Sequence, residues 1–252
     1  MCLNKINKLG IVQPVYNVDN FIKYSIESIL NQTYRDFIYV IVNDGSTDST
    51  LKVVSSYQDP RLVVINKDHG GLAEALNSGI QHLLKTESCD YIARMDGDDI
   101  STPERLEKQI NFMMKNPNIK ISSTWAERYD QLGNLFEKFA PRFKTPLELK
   151  TAMLKMNFII HGSVMFSTDV FDKVGMYEDG LVEDYWYWMR ILNKFDGTVI
   201  PEYLYQLHSR SGSYTDFRAN EIYNDAKRCR EHWSKIWNIK IPEFNYDYTE
   251  SF

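Results

Sequence analysis

The sequence predicts a single α/β core on a mostly parallel sheet, and three observations carry that expectation. Short apolar runs rich in β-branched and aromatic residues, "LGIVQPVY" (9–16), "FIYVIV" (37–42) and "LVVI" (62–65), have the length and composition of strands buried on both faces. Apolar residues between them recur at helical spacing: Ile22, Ile26, Ile29 and Leu30, then Leu72, Ala75, Leu76, Ile80 and Leu83. The alternation ends at a fourth strand, "YIAR" (91–94), and strands alternating with helices in this way build a sheet with right-handed crossovers.

After that strand, Ser101, Thr102, Pro103 and Glu104 supply a helix start: a hydroxyl cap, an early proline and an acid in the first turn. Leu106, Ile110 and Met113 mark the buried face of the helix. Next come a strand at 119–124, a hairpin turned at "QLGN" (131–134) and a helix near 146–156. A strand at 163–166, a helix at 184–195, strands near 198–207 and a long helix over about 216–239 complete the order. No repeat, low-complexity segment or Gly/Ser linker interrupts it, so the two halves are expected to share one core.

Composition narrows the partners. With 252 residues, 43% of them hydrophobic, the chain can bury a sizeable core. A net charge of -5 argues against nucleic acid, which needs an excess of Lys and Arg on one face. Three scattered cysteines, Cys2, Cys89 and Cys229, form neither a metal cluster nor a disulfide framework, and read as core thiols in a reducing cytosol. The opening "MCLNKINKLGIVQPVYN" lacks a signal-peptide core and no run reaches the length of a membrane span. A cytoplasmic chain, or one peripheral at the inner face of a membrane, is expected.

In a parallel α/β sheet, ligands bind beyond the carboxyl ends of the strands. The polar punctuation falls there: "PVYN" (14–17), "NDGSTD" (43–48), "HGG" (69–71) and "DGDD" (96–99). Asp96 and Asp98 flank a glycine that would let backbone and ligand approach closely. Paired hard oxygen ligands suit Mn²⁺ or Mg²⁺ bridged to phosphate. As a bare pattern Asp-x-Asp reads equally well as a turn and a helix cap.

Taken together, "PVYN", "VNDGSTD", "HGGLAEALNSG", "ARMDGDDISTPERLEKQ", "HGSVMF" and "EDYWYWMR" resemble, in order, the motifs of inverting glycosyltransferases of family 2, which have the GT-A fold. The resemblance implies a catalytic domain over 1–215, its nucleotide-sugar half about 1–120 and its acceptor half about 121–215, with a helical extension over 216–252. It implies that Asp44 hydrogen-bonds the nucleotide base and that Pro14 and Tyr16 line the base pocket. Asp96 would contact the ribose or the metal, and Asp98 would ligate the metal. Asp44 also reads as an Asx-turn, and Asp99 as a helix cap or a partner of a metal-bound water. Many relatives carry arginine where Leu76 stands and asparagine where His69 stands, so contacts of those side chains do not transfer. Arg94 and Lys67 are the cations available for a diphosphate.

"VEDYWYWMR" (182–190) puts Glu183 and Asp184 at a helix start, where the dipole favours carboxylates. In the family the Asp of this pair is the catalytic base. Trp188 lies one turn on and would floor an acceptor sugar, although tryptophans there also fill cores. The resemblance places His161 near the acceptor and His208 near the metal or diphosphate; either reads equally as a structural histidine.

The tail "AKRCREHWSKIWNIK" (226–240) interleaves basic and aromatic residues, which suits an anionic membrane surface presenting a lipid-linked acceptor; docking of the tryptophans on the core is the plainer reading. The resemblance as a whole implies a UDP-sugar donor, by family frequency, and a glycan or lipid-linked acceptor, in surface polysaccharide synthesis. A sugar nucleotidyltransferase would need a Gly-rich triphosphate loop that "LGIVQPVYN" lacks. A non-catalytic carbohydrate-binding protein would have no need of Asp44, Asp96, Asp98 and Asp184 together.

Overall fold

A computed structural model describes residues 8–87, 89–209 and 218–242. Strands β1 (Leu9–Val15), β2 (Phe37–Asp44), β3 (Leu62–Lys67) and β4 (Tyr91–Arg94) are parallel neighbours in the order β3-β2-β1-β4. Leu9 stands opposite Phe37 on one side and Tyr91 on the other, so β1 is the central strand of this half. Helices α1 (Ile22–Leu30), α2 (Thr50–Val54) and α3 (Leu72–Thr86) are the crossovers.

The second half changes direction. Two-residue β5 (Ile100–Ser101) leads into α4 (Arg105–Lys115), β6 (Ile119–Tyr129), β7 (Leu135–Phe139) and α5 (Pro146–Ala152). A 3₁₀ turn (His161–Ser163), β8 (Met165–Ser167), α6 (Val170–Val174), α7 (Glu183–Lys194), β9 (Asp196–His208) and α8 (Ala219–Trp237) follow. β8 enters antiparallel between β4 and β6, and β9 runs parallel to β6. One sheet therefore continues through both halves, in the order β3-β2-β1-β4-β8-β6-β9-β5, with β7 on β6.

Alternation along the strands loads both faces of the sheet. Val12, Val40, Val42 and Ile92 pack with Leu76 and Ile80 of α3, in one cluster with Trp188 of α7 and Trp233 of α8. Leu9, Ile11, Tyr39 and Ile41 face the other way, against Ile22 and Ile26 of α1 and Leu106 and Ile110 of α4. Each fully buried side chain of this kind contributes about 1.5–3 kcal/mol, so the strand ends rest on a rigid floor.

Three local expectations change. Helix α4 starts at Arg105 with no side-chain cap, because Ser101 lies in β5 and its Oγ accepts from Arg105 Nε at 2.7 Å. Asp99 caps no helix; its Oδ1 accepts from the His208 backbone at 2.9 Å and ties the acidic loop to β9. The helix near 146–156 is shorter, ending at Ala152. Cys89 and Cys229 are buried free thiols, while Cys2 and the first residues of the expected long helix, 216 and 217, lie outside the described residues. On α8, Trp233 is buried and Trp237 donates to Asn193 Oδ1 at 3.1 Å beneath Lys150, so both dock on the core. Among the described residues no helix is long and apolar enough to cross a membrane.

Candidate active site

The carboxyl ends of β1, β2 and β4 and the start of α7 open into one cavity of about 650 Å³. Pro14 and Tyr16 follow from β1, Asp44 from β2, His69 and Gly71 from the turn after β3, and Arg94, Asp96 and Asp98 from β4. His161, Glu183 and Asp184, and Ile222 of α8, line the same cavity.

The acidic loop is held from below. The Asp96 carbonyl accepts from Gln13 Nε2 at 2.7 Å and Ser25 Oγ at 2.8 Å, and the Asp96 amide donates to the Tyr205 hydroxyl at 3.2 Å. Gly97 owes its place to packing rather than to a ligand's approach, since a Cβ there would come within 3.0 Å of Val18 and 3.1 Å of Val15. Arg94 is buried and ion-paired with Asp96 Oδ2. Burial works against its charge, and the Asp96 carboxylate beside it overrides that and raises its pKa.

Arg105 lies buried beneath, with its guanidinium donating to the Arg94 carbonyl at 3.1 Å and the Gly162 carbonyl at 3.2 Å. It clamps the end of β4 to the 3₁₀ turn that carries His161. Burial lowers its pKa only to about 10, so it stays charged at neutral pH.

Asp96 and Asp98 both face the cavity. Among the described residues no three His, Cys, Asp or Glu side chains gather closely enough to cage an ion. The donor set instead fits a shared site, in which one or two carboxylates hold Mg²⁺ or Mn²⁺ together with phosphate oxygens of the ligand.

Asp44 and the Glu183–Asp184 pair live in opposite surroundings. Asp44 accepts from Lys67 Nζ at 2.8 Å, Gly70 N at 3.0 Å and Gly71 N at 2.9 Å. Burial pushes its carboxyl up, but these donors outweigh it and hold the pKa below the ordinary value. Burial pushes Glu183 up to about 8, with the Asp184 charge adding to the rise. Asp184 is raised too, first by burial, although Tyr185 N at 2.6 Å and Asn157 Nδ2 at 2.9 Å stabilise its two oxygens.

His161 lies in the cavity wall with Nε2 at 3.3 Å from the Tyr177 hydroxyl, and burial, then Arg94, drives its pKa well down. Two expected residues are not brought into the cavity. Trp188 is fully buried edge-on to His161, so it is core and offers no floor to a sugar. His208 stacks on Tyr129 with centroids 5.2 Å apart. Lys67 is committed to Asp44 and to Glu74, the latter at 3.0 Å.

Asn157, Arg105 and His69 had no assigned part in the sequence reading. Arg105 stood inside a quoted motif and His69 was marked as a departure from relatives. Asn157 gave no signal, because its partner Asp184 is 27 positions away.

The comparisons with known proteins bear on the family and the fold. Residues 11–175 match the model of glycosyl transferase family 2. The O-antigen biosynthesis glycosyltransferase WbnJ of Escherichia coli is 32% identical over 200 residues, covering 77% of this chain and 75% of that protein. The structure superposes on S. aureus TarS 1–349 in complex with UDP-GlcNAc at a TM-score of 0.71 and 19% identity, covering 94% of this chain and 68% of that one. It also superposes on the mannosyltransferase PcManGT from Pyrobaculum calidifontis, in complex with GDP-Man and Mn²⁺, at a TM-score of 0.68 and 17% identity, covering 93% and 65% of the two chains. A sheet of this order, an acidic strand end and a second acid pair lining one cavity, and a family match over most of the chain lead to one conclusion: this is a glycosyltransferase of family 2, with the GT-A fold.

Proposed function

We propose that the chain is a metal-dependent, inverting hexosyltransferase that moves a sugar from a nucleoside diphosphate, UDP by preference, to a hydroxyl of a glycan or lipid-linked acceptor. Surface polysaccharide synthesis is the setting, in keeping with the O-antigen role in WbnJ's name. UDP-GlcNAc in TarS, and GDP-Man with Mn²⁺ in PcManGT, support a nucleotide sugar at this rim. The observation that carries the reading is that the metal-competent pair Asp96 and Asp98 and the desolvated pair Glu183 and Asp184 line one cavity.

The division of labour follows from charge. With its pKa near 8, Glu183 keeps its proton at neutral pH, which leaves the negative charge on Asp184. Asn157 and the Tyr185 amide fix that carboxylate, and its raised pKa makes it a stronger proton acceptor than an ordinary aspartate. Asp184 takes the proton of the acceptor hydroxyl as the oxygen attacks the anomeric carbon from the face opposite the diphosphate, which inverts the centre. One base suffices because a diphosphate, unlike an alkoxide, leaves unprotonated. A divalent cation held by Asp98 and Asp96 would supply Lewis-acid neutralisation of that leaving group. Arg94 holds Asp96 in place from beneath.

A panel of nucleotide sugars with Mn²⁺ or Mg²⁺, read as nucleoside diphosphate release with and without glycan acceptors, tests the proposal. Asp98→Ala is expected to abolish the metal dependence of donor binding. Donor binding with unchanged metal dependence in that variant would refute the metal assignment.

A further inference from the structure

We propose that the β6–β7 hairpin is a membrane-docking element, which seats its apolar tip in the interfacial layer of a bilayer carrying anionic lipids and so holds the catalytic rim against that surface. The inference goes beyond the donor and acceptor chemistry proposed above and stands or falls separately.

The tip is apolar and open to water. Leu132, in the turn, is 86% exposed, more than any other large hydrophobic side chain among the described residues, and Leu135 and Phe136 are 43% and 57% exposed. Phe136 is also the extra residue of a bulge: Tyr129 stands opposite Leu135 and Arg128 opposite Glu137, which leaves nothing across from Phe136.

The turn meets its own polar groups. Asp130 N donates to the Asn134 carbonyl at 2.9 Å, and Gly133 N to the Asp130 carbonyl at 3.0 Å. Leu132 N and Asn134 N donate to Asp130 Oδ1 at 2.9 and 2.8 Å, and Asn134 Nδ2 to Asp130 Oδ2 at 3.1 Å. A segment entering an apolar layer needs its backbone satisfied from within. Its place is also apt. The His208 amide donates to Asp99 of the acidic loop at 2.9 Å, Tyr129 pairs with His208 across β6 and β9, and Leu135 pairs with Tyr129. The tip therefore springs from the edge of the rim that carries Asp96 and Asp98.

Size and charge favour lipid over a protein partner. Three side chains on a narrow turn fall short of the about 800 Å² per partner of a stable protein interface, and the bulge obstructs strand pairing with a second copy. Along the shaft, Glu127 pairs with Lys138 at 2.9 Å and Arg128 with Glu137 at 2.8 Å. Arg142 and Lys144, exposed near its base, are in no ion pair among the described residues. Apolar area with cations behind it is what an interfacial anchor on anionic lipid needs.

Flotation of the full chain with vesicles of phosphatidylcholine, with and without phosphatidylglycerol, at physiological salt tests this. The wild type should float with the anionic vesicles. A double variant, Leu132→Ser with Phe136→Ser, should partition at least about tenfold less, with an unchanged melting temperature because both side chains already face water. Phe136→Trp should show a blue-shifted emission when those vesicles are added. A wild type that stays in solution, a double variant that floats equally well, or an unshifted emission overturns the proposal. So does a dimer, seen by sedimentation equilibrium without vesicles, that the double variant dissolves, since the tip would then belong to a second copy. No readout here involves a nucleotide, so failure of the donor-site reading leaves them untouched.

Discussion

Asp44 and the Glu183–Asp184 pair are carboxylates on the same cavity, and their surroundings push them in opposite directions. Asp44 meets a donor on every side, and its pKa falls. Glu183 and Asp184 are buried with fewer donors beside a like charge, and theirs rise. The difference teaches that the number of donors around an acid, more than its position at a strand or helix end, separates an acid that builds a site from one that can react in it. Asp184 holds its charge beside a protonated Glu183 with few donors, whereas the charge of Asp44 is committed to Lys67, Gly70 and Gly71.

The largest effect should come from the reactive side. Asp184→Asn keeps the size of the side chain but removes the proton acceptor, and its amide can accept from only one of Asn157 Nδ2 and Tyr185 N, so transfer should fall about 10³-fold while the dissociation constant for the donor stays within about twofold. Initial rates with saturating acceptor, beside calorimetric donor binding, separate the two. Turnover within tenfold of wild type would mean that the pair's raised pKa values have no part in proton transfer, and the contrast with Asp44 would lose its functional meaning.

Asp44→Asn probes the building side. An amide cannot accept from Lys67, Gly70 and Gly71 together, so at least one donor loses its charged partner, and stability should drop by about 2 kcal/mol. For a chain of this size that is a fall of about 6 °C in melting temperature by calorimetry. Because the folded pKa is depressed, the stabilisation by Asp44 is present above the ordinary carboxylate pKa and disappears as pH falls through the folded value. Wild type and variant should therefore converge in acid. A variant as stable as wild type at pH 7 would show that the donors around Asp44 are satisfied without it.

How legible this was in the sequence depends on the range of the interaction. The parallel half could be read because strands buried on both faces are continuous apolar runs, and their ends placed Pro14, Tyr16, Asp44 and Asp96 on one rim. The second half was read less closely. β8 is a three-residue strand inserted antiparallel between β4 and β6, and nothing in "MFS" states its neighbours. The acids were visible as residue types, but their donors were not: Asn157 reaches Asp184 across 27 positions, and Arg105 binds carbonyls, which carry no sequence identity. Trp188 shows the same limit from the other side, since helical spacing puts it on a face with Asp184 but cannot say that the ring turns inward to the core.

The smallest effect sharpens the comparison in a pH dimension. Glu183 releases its proton near 4.5 when unfolded and near 8 when folded, so the folded state holds the proton more tightly through that window. Stability contributed by the protonated, buried acid is complete below about 4.5 and is lost as pH rises to about 8. Glu183→Gln cannot titrate and escapes that loss. Its melting temperature should match wild type near pH 4.5 and exceed it by a few degrees at pH 8.5. Asp44→Asn should show the reverse sense, with its deficit closing in acid rather than its advantage opening in base. Parallel melting curves for Glu183→Gln and wild type across this range would place the proton elsewhere in the pair and transfer the raised pKa to Asp184 alone.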